Sequence, residues 1–529
     1  MTETWPPDGL IGGSTTVTLR LSMFGPERYR CPASDVLKAR GMRPRVRPAW
    51  KPEVLDPFPN GPFMAAADEL DRPADESSSN PPSGGRQRPL HDGVRQWTEH
   101  ALLMYRKAFP TDSEPNSALR LAPSPWVYKH QRAAGDGQAA VEYRITAWGR
   151  CLESPDGRRR ELRLPVVKRL RTRSDTERAI AALVAAEGNP YPRLEEVRVV
   201  QFALSDGHTA PIFEGSRAEA LTLYRKDGAP AVRALLGSQE YRPGTACVSC
   251  AIAPVCPTLP KTAGLLGTAD RSRPRRSWSS TTGRGHQSCP ARGYLRGLRL
   301  PADDTVERGA AAERGRALHA FLAERHDRQS RTPCTPEIPT DWVPEGYRLP
   351  DEERQLGADL LRHHAEVCPL HTAEPKSEIR IEPRMAFDDT AADLLVLAEP
   401  DLLYRSEGSW VWRETKTSAS DRPRRDLMAA YPQLALAVKI IGSGVLSGPQ
   451  ARGRVELELL RPAGADLRTI DPFAPATLAV AEAVLREQVE GWHTETLFEA
   501  VPGPECAHCE VARWCSVRQP QQVGSEEGQ

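Results

Sequence analysis

Two tandem α/β modules, each a mixed sheet flanked by helices, are what this sequence predicts. Three observations carry that prediction: a cysteine frame written twice, further segments recurring at nearly the same offset, and a helix–strand–helix order in the second half. Cys247, Cys250 and Cys256 follow C-x2-C-x5-C, and so do Cys506, Cys509 and Cys515. Upstream, Cys31 and Cys289 each open a Cys-Pro pair before a helical stretch. Cys31 lies 216 residues before Cys247 and Cys289 lies 217 before Cys506, so the two sets are offset by 258 or 259. Arg95-Gln96, Leu102-Leu103 and Pro110 recur as Arg354-Gln355, Leu360-Leu361 and Pro369. Glu114-Pro115, Ser117, Leu119-Arg120-Leu121 and Pro123 recur as Glu374-Pro375, Ser377, Ile379-Arg380-Ile381 and Pro383. Self-similarity at a fixed period is the mark of repeated architecture, and a tandem duplication is the expectation.

The elements follow in order. Residues 311–329 and 351–367 carry helical periodicity; a helix is also expected near 59–72. Residues 377–382 alternate through Ile379 and Ile381 as a strand does. Residues 392–404 and 409–415 read as two strands about the turn Ser406-Glu407-Gly408. A helix over 424–440 and a strand over 453–460 complete a mixed sheet with helices against it. The expected boundaries are a module at 1–256, a linker at 257–285, a module at 286–516 and a mobile tail at 517–529. Pro/Gly/Ser-rich composition also makes 73–90 loop-like.

At 529 residues the chain exceeds one ordinary core and predicts two to four domains. Charged residues are 27% and hydrophobic residues 39%, a globular balance. A net charge of +1 provides no global attraction to nucleic acid, so such contact would depend on local patches. No apolar run approaches the roughly 20 residues that span a bilayer. With no signal peptide at the N-terminus, the expectation is a cytoplasmic protein without a membrane partner. Eleven cysteines there imply metal ligation or buried thiols rather than disulfides. Cys151, Cys334 and Cys368 fall outside both sets and read as ordinary thiols. The run Arg271-Ser-Arg-Pro-Arg275-Arg276 reads as a solvated or phosphate-touching face.

Asp401 ends a strand, and thirteen residues later the next strand carries Glu414-Thr-Lys416. Positions i and i+2 of a strand share a face, so Glu414 and Lys416 project together and a hairpin brings Asp401 beside them. Two carboxylates are hard ligands for Mg²⁺ or Mn²⁺, and a lysine there stabilises negative charge. Ser288-Cys289-Pro290 with Tyr294, Gly315 to His319, Asp401, Glu414-x-Lys416, Gln433 and the last three cysteines stand in one order over about 235 residues.

That order resembles the RecB-like branch of the PD-(D/E)XK superfamily, which includes the AddB nuclease and the CRISPR-associated RecB-like exonucleases. The resemblance implies a restriction-endonuclease-like fold and a divalent-metal-dependent DNA nuclease of repair, recombination or anti-phage defence, acting on single strands or ends. It implies Asp401, Glu414 and His319 as metal ligands, Lys416 and Gln433 as active-site groups, and Cys289, Cys506, Cys509 and Cys515 as ligands of a [4Fe–4S] cluster. Thiolate softness alone leaves Zn²⁺ open. The family's tyrosine four residues after Gln433 is absent: position 437 is Ala, and Tyr431 is the nearby candidate. Without a Walker-type phosphate loop, any helicase or ATPase would be a separate chain.

In the first half, the internal match sets Arg150 against Asp401, Arg163 against Glu414 and Pro165 against Lys416. Arginines there would repel a divalent cation. The first half is therefore expected as a catalytically dead, DNA-binding or scaffold copy. It keeps Cys31, Cys247, Cys250 and Cys256 for a second cluster, and its basic segment from Arg158 to Arg173 is a candidate DNA contact. Two other classes remain: a non-catalytic DNA-binding or assembly protein with a vestigial nuclease fold, and a zinc-stapled adaptor of another fold.

Overall fold

The computed structural model describes residues 5–517 except 27–29, 72–87, 111–118, 134–139, 191–192, 304–305, 307–308, 329–330, 372–377, 422–425, 447 and 449–450. The repeat segments at Glu114–Ser117 and Glu374–Ser377, most of the 73–90 stretch and all but the first residue of the tail lie outside the described residues.

The first half runs β1 (Thr16–Arg20), α1 (Pro32–Ala39), α2 (Asn60–Leu70), α3 (Asp92–Ala108), β2 (Arg120–Leu121), β3 (Val127–Arg132), β4 (Val141–Thr146), β5 (Arg150–Glu153), β6 (Arg159–Val166), α4 (Asp175–Glu187), β7 (Glu196–Ala203), β8 (Thr209–Ser216), α5 (Arg217–Leu223) and α6 (Ala229–Gly237). The second half runs β9 (Lys261–Thr262), β10 (Ser277–Trp278), α7 (Ser280–Ser288), α8 (Pro290–Gly297), α9 (Ala310–Asp327), α10 (Asp351–Val367), β11 (Ile379–Ile381), β12 (Met385–Asp389), β13 (Leu394–Ala398), β14 (Leu402–Ser406), β15 (Ser409–Thr417), α11 (Pro432–Gly442), β16 (Arg454–Arg461), β17 (Gly464–Ile470) and α12 (Pro475–Thr494).

Each half builds a five-stranded sheet, in the order β2-β5-β6-β7-β8 and β11-β14-β15-β16-β17. The directions match as well. In both sheets the third and fourth strands are parallel and the other neighbours antiparallel. The parallel pair requires a crossover, and α4 and α11 supply it. Ser174 caps α4 in a capping box with Glu177. Each half also has a smaller mixed sheet, β1-β4-β3 in the first and β9-β12-β13-β10 in the second.

Several elements depart from the sequence reading. The strand expected over 392–404 is two strands in two sheets, because Pro400 cannot donate to a ladder and the chain turns there. The helix expected over 424–440 is a single turn at Leu427–Ala430 followed by α11, broken before Pro432, where Tyr431 leaves the helical region (φ −132°, ψ 76°). Ser406 and Ser409 pair directly, with Glu407 (φ 51°) and Gly408 (φ 78°) forming the two-residue turn of a hairpin.

The linker expected at 257–285 is folded. Asp389, fully buried, accepts from the Gly264 and Leu266 amides at 2.9 and 3.1 Å. Leu265, Leu266 and Trp278 enter the core of the second half. The end of the arginine run is turned inward, while Arg271 is exposed. Arg275 pairs with Asp388 (2.8 Å) and Asp393 (2.7 Å), and Arg276 with Glu53 (2.6 Å). Composition misled here because Gly and Pro serve turns while the few large apolar residues supply the burial.

The halves pack reciprocally. Val511 and Trp514 of the second cysteine loop join Phe63, Trp97 and Tyr105 of the first half. Cys247, Cys250 and Ile252 of the first cysteine loop pack with Ala386 and Leu395 of the second. Among the described residues no helix is long and apolar enough to cross a membrane.

Candidate active site and cysteine clusters

Strand β15 is central and almost wholly buried. Its apolar run Trp410-Val411-Trp412 suits a strand covered on both faces, with polar residues only toward its end. The pairing of Leu402 with Arg413 sets Asp401, one residue earlier, beside Glu414. The Thr415 amide donates to Asp401 Oδ2 at 2.7 Å and fixes the carboxylate. Lys416 Nζ donates to Asp401 Oδ2 (3.1 Å) and to Glu414 Oε2 (2.9 Å). Trp412 Nε1 donates to Glu414 Oε1 at 3.0 Å. Helix α9 passes over the end of β15, where a Cβ on Gly315 would meet Thr417 Oγ1 at 3.5 Å. One turn on, His319 Nδ1 lies 3.4 Å from Asp401 Oδ1. The four sequence-predicted groups therefore converge.

Burial raises the Glu414 carboxyl above its usual range and the Asp401 charge adds to this, with Lys416 and Trp412 opposing. Burial alone would lower the Lys416 ammonium, but Glu414 and Asp401 together hold it above its ordinary value. Two carboxylates forced together beside an imidazole are a donor set that a small hard dication suits, because it relieves their repulsion.

Glu382 is a residue that the sequence reading missed. It lines the same pocket as His319 and Asp401, and its amide donates to the Asp401 carbonyl at 3.3 Å. Its φ of 42° is unusual for a residue with a side chain, and such strain gathers at functional sites. Burial raises its carboxyl; the His319 interaction opposes this, and Asp401 adds to it. The signal was present in Ile381-Glu382-Pro383, at the end of an alternating strand. Gln433 is not joined to the trio. It sits in the first turn of α11, and its Oε1 is buried without a hydrogen-bond partner.

In the first half, Arg150 pairs with Arg163 across β5 and β6. Arg163 faces Val200 as Glu414 faces Leu457, and Pro165 faces Phe202 as Lys416 faces Leu459. The arginines have partners of their own. Arg150, 1% exposed, donates to Asp68 Oδ1 and Asp71 Oδ2, both at 2.6 Å, from the end of α2. Arg163 pairs with Glu161 at 2.5 Å and donates to the Tyr105 hydroxyl at 2.8 Å. The basic segment expected to contact DNA is divided: Arg160 donates to the Gly188 and Asn189 carbonyls, and Arg171 and Arg173 bind Glu177, whereas Arg158, Arg159, Lys168 and Arg169 are exposed.

Each cysteine set lines one pocket, Cys289 with Cys506, Cys509 and Cys515, and Cys31 with Cys247, Cys250 and Cys256. Proline at N1 opens α1 and α8 and forces the preceding Cys31 and Cys289 into extended backbone, just outside the helix. The amide hydrogen bonds to sulfur repeat: the Arg242 N–H donates to Cys31 and Val501 to Cys289, Gly244 to Cys247 and Gly503 to Cys506, all at 3.4 Å. Burial pushes the Cys31 and Cys509 thiols up and Cys247 to about 11, so thiolates there call for a cationic partner. Cys151 is a core thiol. Cys334 and Cys368 are not ordinary thiols, because they gather with His326 and His364.

Residues 277–516 match the family model of the PD-(D/E)XK nuclease superfamily. No curated protein matches. Among solved structures, the crystal structure of SSO0001 is similar at 13% identity over 32% of this chain and 78% of that one; its TM-score of 0.18 carries no argument.

Proposed function

We propose that the PD-(D/E)XK nuclease superfamily domain at residues 277–516 is a divalent-metal-dependent deoxyribonuclease of the RecB-like type, hydrolysing phosphodiesters of single-stranded DNA or DNA ends. The observation that carries this reading is the meeting of Asp401, Glu414, Lys416 and His319 at the open end of one buried strand. Asp401, Glu414 and His319 would hold Mg²⁺ or Mn²⁺, with Glu382 close enough to add a carboxylate. Bound there, the ion supplies a more acidic water and neutralises charge at the scissile phosphate. Lys416, already bridging both carboxylates, orients the attacking water and offsets negative charge. Trp412 and the Thr415 amide hold the two carboxylates in place.

The first half is a non-catalytic copy acting as scaffold. The shared strand order, directions and sulfur hydrogen bonds support that reading, and the inward-facing arginines favour scaffold over DNA clamp. The two cysteine sets hold [4Fe–4S] clusters, each tying an early helix to a loop over 200 residues later. A role in repair, recombination or anti-phage defence beside a separate helicase or ATPase follows the same resemblance.

A nuclease assay with Mg²⁺ and Mn²⁺ on single-stranded and duplex DNA, wild type against Lys416→Ala, tests the enzyme. Equal cleavage by both proteins would remove it. The unjoined Gln433 and Ala437 favour a second reading, a vestigial nuclease fold that only binds DNA or assembles complexes. Metal-independent DNA binding without cleavage is its signature. Iron analysis and a visible absorbance that bleaches on reduction test the clusters against zinc.

A further inference from the structure

Cys334 and Cys368 sit with His326 and His364 behind the carboxylate site, and all four ligand atoms lie within 4.8 Å of one another. The residues come from the C-terminal turns of α9 (His326), the following loop (Cys334) and the end of α10 (His364 and Cys368). We propose that these four side chains form a closed structural zinc site, separate from both four-cysteine sets.

Three observations carry the assignment. The first is spacing. His326 Nε2 lies 3.6 Å from Cys334 Sγ and 3.8 Å from Cys368 Sγ. Tetrahedral zinc with Zn–S of about 2.3 Å and Zn–N of about 2.0 Å sets nitrogen and sulfur about 3.5 Å apart. The second is an orphan atom. His364 is 1% exposed, and its Nδ1 faces Glu458 Oε1 at 2.6 Å. Its Nε2 is buried and makes no well-directed hydrogen bond, with only the Cys368 thiol beside the ring. A histidine that only paired with Glu458 would leave that nitrogen unsatisfied, at a cost of about 1–3 kcal/mol. As a zinc ligand it is satisfied, and carboxylate–histidine–zinc is the usual supporting arrangement. The third is charge. Two thiolates neutralise Zn²⁺, and the buried carboxylates behind the site are already matched: Glu456 and Glu458 face Arg413 (2.6 and 3.8 Å), Glu456 also meets Arg454 (2.8 Å), and Thr415 Oγ1 donates to Glu458 (3.0 Å). The pocket can therefore accept a dication without leaving a buried net charge. An S2N2 donor set is diagnostic for zinc over harder ions.

The placement gives the site a structural task. His326 lies two turns beyond His319 on α9, and Glu458 is bonded to Thr415, between Glu414 and Lys416. Zinc would tie α9 and α10 to each other and, through Glu458, to β15 and β16. The assignment does not rest on the nuclease reading, because zinc content is measured whether or not the chain cleaves DNA.

The full chain, produced with zinc and iron supplied and purified without chelator, is compared with Cys368→Ser and His364→Ala by elemental analysis. Each variant is expected to lose one zinc per chain with iron unchanged. Equal zinc in all three proteins would overturn the site. So would a wild-type chain without zinc, or one in which Cys334 and Cys368 react with thiol reagents only after reduction, as a disulfide would. Should both buried variants fail to fold, Cys334→Ser at the half-buried ligand provides the same comparison, with the same loss expected and unchanged zinc decisive against it.

Discussion

Where the second sheet sets Asp401 beside Glu414, the first sets Arg150 opposite Arg163. Strand order, directions and register around those positions agree, so the difference lies in side chains alone. The helix above each pair differs in a complementary way. In the second half α9 brings His319 to an acidic pair, and in the first α2 brings Asp68 and Asp71 to a basic one. One scaffold thus supports two solutions to buried charge. The first is closed, with the Arg150 guanidinium bridging the Asp68 and Asp71 carboxylates. The second stays partly open: like charges are held together by one lysine, and Asp401, Lys416 and His319 remain reachable from solvent. Buried like charge is costly unless a cation joins it, so the second arrangement is an unexpected structural choice and a reasonable binding choice.

The largest effect expected from breaking this contrast is on the second half. Glu414→Gln and Lys416→Ala should each lower the DNA cleavage rate by about 10²- to 10⁴-fold, the range for removing a group that stabilises transition-state charge. Thermal unfolding should change little for Glu414→Gln, because Glu414 is held in an unfavourable like-charge environment, whereas Lys416→Ala leaves the two carboxylates without their cation and should lower the melting temperature. Cleavage rates and melting curves on the same preparations check both halves of the statement. For Glu414→Gln, a fall in rate that merely follows a fall in melting temperature would mark the trio as structural.

Arg150→Ala should show the opposite balance. Removing a fully buried guanidinium leaves Asp71 and Asp68 without their partner and should destabilise the first half by about 3–5 kcal/mol. Lysine should not restore it, since Arg150 satisfies five separate acceptors with a planar fork. Denaturant unfolding checks the magnitude. Cleavage by the protein that remains folded should stay near wild type.

Legibility followed the range of the interactions. The cysteine frames, the hairpin turn at Glu407-Gly408 and the shared face of Glu414 and Lys416 are set within a few residues, so spacing and strand periodicity were enough to read them. Helix α10 was read to its end residues because 351–367 has a plain apolar period and no internal proline. What was missed depends on contacts across the chain. Glu382 gains meaning only from its position beside Asp401, 19 residues on. His326, Cys334, His364 and Cys368 follow no familiar spacing and meet only when α9 and α10 pack. The order of the 257–285 segment comes from Asp389, over 120 residues away. Arg160, Arg171 and Arg173 looked like a charged face because their partners, the carbonyls after α4 and Glu177, belong to another element.

Reciprocal packing allows an intermediate test. Trp514 is 1% exposed, meets Trp97 edge-to-face at 5.0 Å and donates from Nε1 to the Pro301 carbonyl at 2.6 Å. Trp514→Ala should cost about 3 kcal/mol, by cavity formation and a lost hydrogen bond. Since Trp514 immediately precedes Cys515, iron content should fall together with the melting temperature. The equivalent Val255, before Cys256, is only partly buried, so Val255→Ala should be felt much less. Equal losses from the two would show that the halves depend on each other less asymmetrically than this packing implies.

The smallest expected effect separates a scaffold from a clamp. Arg158 and Arg159 are two of the exposed members of the basic segment, with Lys168 and Arg169, and are paired loosely with Glu195 (3.6 Å) and at 2.9 Å with Glu196. Such surface pairs contribute about 0–1 kcal/mol, so Arg158→Ala with Arg159→Ala should leave stability nearly unchanged. If the first half gripped the DNA backbone here, removing two phosphate contacts would flatten the slope of log affinity against log salt by about 1.4–1.8, depending on whether the DNA is single-stranded or duplex. A scaffold predicts no change in that slope. Binding measured from low to moderate salt on the full chain decides between them, and a flattened slope would return a DNA-contacting role to the first half despite its inward-turned arginines.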